Sequence, residues 1–168
     1  MKIVTDETIM SIDFVGTMLT SNQSHDGLFS LNVDLKTAAF YGQGENIWFS
    51  LQEYEQFINA LKAIDKNDDQ QEVMFQTTIE ANEYYRKVGD HLSIWFKKRW
   101  NDYVQCHATL SAYPKNQPSR PYPYTQMFIH SFGLDISAFS NMITNFETLQ
   151  TVITQDLEQR VKDERYYE

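Results

Sequence analysis

The sequence predicts an α+β fold in which antiparallel strands lead into one helix, a plan used twice. Two observations carry this. Period-two alternation occurs in both halves: Phe29, Leu31, Val33 and Leu35 against Ser30, Asn32 and Asp34 in the first, then Leu92, Ile94 and Phe96 against Trp95, Lys97 and Arg99 in the second. Each half then closes on helical spacing, and Leu51, Tyr54, Phe57, Ile58 and Leu61 align without a gap with Ile136, Phe139, Met142, Ile143 and Phe146, 85 residues later. Such self-similarity points to an internal duplication. Against it, any two amphipathic helices share a 3.6-residue period, and the strands do not align residue for residue at that offset. The predicted units are 1–70, ending in a helix over 50–64, and 71–168, ending in a long helix over 135–162, together one compact body.

In the first half, Ile9 to Leu19 is rich in β-formers, Asn22 to Gly27 reads as a polar turn, and a strand follows over 28–40. Gly42-Gln43-Gly44 predicts a second turn before Asn46 to Phe49; a dinucleotide loop would need a third glycine, and a P-loop its lysine. Ser50 with Glu53 forms a capping box, flanked by Phe49 and Tyr54 as a hydrophobic staple, so a helix starts there and runs to the polar stretch Asp65 to Gln71. In the second half, Val73 to Ala81 alternates, as do Val104, Cys106, Ala108 and Leu110 against Gln105, His107 and Thr109. A loop holding all four prolines, Pro114, Pro118, Pro121 and Pro123, precedes a last strand over Tyr124 to Phe132, and the second helix opens at Asp135.

At 168 residues, 42% apolar and 22% charged, the chain buries a core without staples, which excludes disordered and fibrous classes. Cys106 is the sole cysteine, so no intramolecular disulfide forms. Met1 to Met10 lacks the apolar run of a secretory signal, and no stretch approaches the roughly 20 apolar residues of a membrane span. A cytoplasmic protein that makes no membrane contact is expected. The net charge of -9 is uneven: -10 over residues 1–85, +4 over 86–135 and -3 over 136–168. A local basic stripe binds polyanions at short range even when the whole molecule is acidic, because salt screens the rest.

If the second-half strands bury Leu92, Ile94, Phe96, Val104, Cys106, Ala108, Leu110, Met127 and Ile129, alternation places Trp95, Lys97, Arg99, Tyr103, Gln105, His107, Thr109, Tyr124, Gln126, Phe128 and His130 on the other face. Rings on which bases stack, beside cations that track phosphates, suit single-stranded nucleic acid. The candidate binding residues are Trp95, Lys97, Arg99, Tyr103, His107, Tyr124 and Phe128, with single-stranded DNA or RNA as partner. The competing reading covers this face with another layer or subunit, and a rival function is an acidic interaction or inhibitor module whose first half engages a basic protein.

Enzyme chemistry finds little footing, and neither cofactor nor metal is expected. Cys106 and His107, adjacent on a strand, point to opposite faces and cannot share an ion; Val104 and Ala108 predict a buried thiol. Glu80 and Glu83 read as a solvated face rather than an acid pair. The stripe continuing through Leu149, Ile153, Leu157 and Val161 is longer than one small sheet covers, so Ile153, Leu157 and Val161 are expected either to form an oligomer interface, most simply of a dimer, or to pack between the two halves.

Phe49-Ser50-Leu51-Gln52-Glu53, running on through Phe57, Leu61 and Ile64-Asp65, resembles the strand-to-helix junction and acidic helix end of a PC4-type module. With the doubled order of strands and helix, the chain is similar to the Whirly and PC4-like single-stranded nucleic-acid-binding proteins. That resemblance implies four antiparallel strands and a helix per module. No family binding motif transfers residue by residue, and two features depart from the pattern: the acidic first half, and lysine-rich strands confined to the second.

Overall fold

The computed structural model describes residues 1–5, 8–20, 27–66, 72–76, 91–100, 103–112 and 126–165. Strands β1 (Lys2–Val4), β2 (Thr8–Met18), β3 (Leu28–Thr37) and β4 (Tyr41–Ser50) form one antiparallel sheet in chain order, followed by α1 (Leu51–Asp65). Strands β5 (Glu72–Gln76), β6 (His91–Trp100), β7 (Tyr103–Ala112) and β8 (Gln126–Asp135) form a second sheet of the same order, followed by α2 (Ile136–Arg165). The predicted α+β class and its repeated plan are what the chain adopts.

Alternation holds in β3, where Phe29, Leu31, Val33 and Leu35 are all at most 1% exposed. Ser30 departs from it: a β-bulge between Phe14 and Gly16 sets Ser30 opposite Gly16, and the side chain is buried with its hydroxyl donating to the Gly16 carbonyl. The turn expected at Gly42-Gln43-Gly44 is absent; these residues lie inside β4, with Gly42 opposite Leu35 and Gly44 opposite Val33. Their neighbour Asn46, at φ 53°, is the left-handed residue of a bulge, so here glycines mark an irregular strand rather than a reversal. The reversal is made by Thr37 to Phe40, whose backbone amides at Ala39 and Phe40 donate to the Thr37 hydroxyl at 3.3 and 3.0 Å.

At the start of α1 the Ser50 hydroxyl accepts from the Glu53 amide, as the capping box predicts, and Leu51, Tyr54, Phe57, Ile58, Leu61 and Ile64 are buried. Asp135 caps α2 by accepting the Ala138 amide at 2.8 Å. The two helices pack on each other and between the sheets: the Tyr54 hydroxyl donates to the Phe146 carbonyl at 3.0 Å, and Phe57 meets Phe146 edge to face at 5.3 Å. Deep burial pushes the Tyr54 phenol far above its ordinary pKa, so it stays a neutral donor.

The length of α2 has its cause inside the chain. Ile153 and Leu157 are both 0% exposed, packed towards the first sheet, while Val161 is half-buried. Gly27 is what lets Leu157 approach: a Cβ there would run into the Leu157 methyl groups. Ile153 and Leu157 are thus covered within the chain itself.

A polar joint fixes the same end of the helix. The Thr17 hydroxyl, on a residue 6% exposed, donates to Asp156 Oδ2 at 2.5 Å, and Arg160 Nε donates to the same oxygen at 3.1 Å. Partial burial pushes the Asp156 carboxyl up, but the Thr17 and Arg160 donors outweigh it and hold the group below its ordinary value. A depressed native value means that the unfolded chain takes up the proton more readily. The joint's contribution is therefore complete above the ordinary carboxylate range and is lost as pH falls through the native value. Thr17→Val is expected to cost on the order of 1 kcal/mol at neutral pH. The gap to the parent should close as acid protonates Asp156, and urea melts across a pH series will read this; a pH-independent gap would assign the loss to packing.

Candidate nucleic-acid interface

The register of the second sheet sets out its solvent face in rows. Met74, Trp95, His107 and Ser131 are successive cross-strand partners over β5 to β8, and Glu72, Lys97, Gln105 and Gly133 form the next row. Because Ile94, Phe96, Val104, Cys106 and Ala108, at most 1% exposed, take the core side, alternation leaves these rows outward. Burial also pushes the Cys106 thiol far above its ordinary pKa, so it is no nucleophile at neutral pH.

Trp95 sits near the middle of the face, half-buried between neighbours. The His107 ring lies 4.8 Å from the Trp95 ring, tilted by 49°, and the Lys97 ammonium is 5.5 Å from the indole centroid, within cation–π range. His107 is oriented by a hydrogen bond between its Nδ1 and the Ser131 hydroxyl. Lys97 is paired with Glu72 at 2.9 Å. A bulge between Lys98 and Trp100 turns Arg99 out into solvent, where its Nε donates to the Gln105 amide oxygen at 2.7 Å. Lys98, though part of the same basic run, points the other way and donates to the Ile64 carbonyl at the C-terminal end of α1, a helix-capping role.

The structure thus brings Trp95, Lys97, Arg99 and His107 together. Tyr103 lies on the same face, half-buried, with its ring over Gly133, where any Cβ would collide with it. Tyr124 is outside the described residues. In the β7–β8 register Phe128 lies opposite Leu110 and His130 opposite Ala108. His130 Nε2 shares a 2.7 Å hydrogen bond with Thr8 Oγ1 and its ring stacks on Phe132, so it joins the two halves instead of facing solvent. Conversely Ile129, predicted inside, is 63% exposed opposite Thr109. The parity of β8 is set by Phe132 and Leu134, buried opposite Cys106 and Val104, which a strand ending at Phe132 does not weigh.

Sequence reasoning missed Met74, 55% exposed beside Trp95, and Glu72, whose place beside Lys97 follows only from the β5–β6 register. The signal for Met74 was present in the alternation of β5; for Glu72 there was none short of the pairing itself.

No protein-family model and no curated protein matches the chain. Among solved structures, the crystal structure of WHY3 from Arabidopsis thaliana matches over 91% of this chain and 86% of that chain, with 11% sequence identity and a TM-score of 0.46. The likeness is one of chain course at low similarity, and the reading of the site rests on this chain's own residues.

Proposed function

We propose that the protein is a non-enzymatic binding protein that takes single-stranded nucleic acid on the outer face of its second sheet. The observation that supports this is the half-buried Trp95 flanked on one sheet face by the Lys97 ammonium at 5.5 Å and the His107 ring at 4.8 Å, with Arg99 turned outward on the same strand. A base stacks on the indole and the cations meet the phosphates that follow it. The test is a fluorescence anisotropy titration with a labelled oligothymidylate of about 12 nucleotides at low salt. Trp95→Ala should weaken binding about tenfold, since stacking is worth roughly 1–3 kcal/mol per base. The salt dependence should stay unchanged, since stacking releases no counterions. Absence of binding in the parent sinks the proposal.

One observation favours the second reading, an acidic module for a basic protein. On the first sheet, the hairpin tip braced by Thr37 presents Phe40 and Tyr41, 67% and 61% exposed. Tyr41 is anchored by donating its hydroxyl to Asp34 at 2.8 Å. Oligonucleotide binding that survives Trp95→Ala while Phe40→Ala abolishes capture of a basic protein would favour that module.

A further inference from the structure

Two outward cations, Lys97 and Arg99, stand on β6, and their surroundings differ. Arg99 is held by a neutral amide, Gln105 Oε1 at 2.7 Å, and keeps its charge uncompensated by that contact. Lys97 is held by a carboxylate, Glu72 Oε2 at 2.9 Å, with side-chain exposures of 31% and 55%. The pairing is built into the fold. Register sets Glu72 directly opposite Lys97, and three residues on, Phe75, 4% exposed, fastens β5 to the core. Glu72 therefore stands over the binding face as a fixed part of the sheet edge.

We infer that Glu72 is a specificity-determining residue of this face: it competes with phosphate for Lys97, making that position a neutral ion pair. Discrimination among ligands then falls to the base on Trp95 and the phosphate at Arg99. This rests on the nucleic-acid reading above. A phosphate approaching Lys97 must displace the carboxylate or sit beside it, and two anions that close repel each other even in bulk water. A ligand offering only charge gains little at such a position. One that also offers an unstacked base gains the indole, so the arrangement favours single strands over polyanions in general.

The test is a double-mutant cycle on the intact protein, read by anisotropy with the same labelled oligothymidylate at low salt. Glu72→Gln leaves the lysine uncompensated and should tighten binding about 3- to 10-fold, and Glu72→Ala should do likewise. Lys97→Gln removes the cation that balances the carboxylate's charge at this position and should weaken binding by a similar factor. The Glu72→Gln/Lys97→Gln protein, neutral at both positions like the parent's ion pair, should return to within about threefold of parent affinity. Circular dichroism melts confirm that each variant folds, as expected for partly exposed positions. A parent that binds no oligonucleotide removes the functional reading itself. A parent that binds, with Glu72→Gln unchanged or weaker, or with the double variant as weak as Lys97→Gln alone, overturns the role of Glu72 while leaving that reading intact.

Discussion

Phe75→Ala is expected to destabilise the protein by about 3–5 kcal/mol, a large share of a typical domain's 5–15 kcal/mol. Phe75 is 4% exposed and touches two other elements at once. Its ring stacks on Phe49 of β4 at 4.6 Å and on Phe57 of α1 at 4.7 Å, and meets Tyr54 at 5.4 Å. It is the one buried side chain of β5, whose remaining residues are exposed or half-buried. Truncation leaves an aromatic-sized cavity where β4, α1 and β5 meet, and nothing else of comparable burial ties β5 down. Urea unfolding should show a lowered midpoint, and Phe75→Leu, which restores most of the apolar volume, should recover much of the loss. A cost for Phe75→Ala below about 1 kcal/mol would mean that β5 is not anchored through this ring.

What was legible in the sequence is what local chemistry decides. Ser50, Glu53 and the apolar stripe of α1 lie within a few turns of one another, so cap, start and buried face all follow from spacing, and the structure has them there. The alternation of β6 and β7 is equally local and places Trp95, Lys97 and His107 on one face. The losses come where a distant partner decides. The parity of β8 depends on which of its apolar residues oppose Val104 and Cys106, so Ile129 falls on the opposite face from a count made along the strand alone. The stripe through Ile153 and Leu157 needs a cover that the sequence does not name, and Gly27, some 130 positions earlier, provides it by lacking a Cβ. β1, three residues long, carries no period to detect, and its place beside β2 is fixed by bonds between Met1 and Ile12 in both directions. Glu72 belongs with these: its chemistry is ordinary, and only the β5–β6 register makes it a neighbour of Lys97.

Reversing both outward cations, Lys97→Glu with Arg99→Glu, is expected to abolish measurable oligonucleotide binding while leaving the fold nearly intact. Arg99 is exposed, and Lys97 is engaged by an exposed pair with Glu72, of the kind worth about 0–1 kcal/mol. Each reversal moves the face two charge units towards the phosphates' own sign. With Glu72 already opposite position 97, three carboxylates would then stand on this face. The salt series identifies the cause. Each phosphate contact on a single strand contributes about 0.7 to the slope of log affinity against log salt, so Arg99→Gln, which retains enough affinity to measure, should flatten the slope by about 0.7, Lys97 being already compensated by Glu72. Trp95→Ala lowers affinity at constant slope, so stacking and charge are read separately on one face. If the reversed variant binds like the parent, the ligand does not lie on this sheet. If it unfolds, with a melting midpoint far below the parent's, the outward assignment of Lys97 and Arg99 fails, and the interface built on that register fails with it.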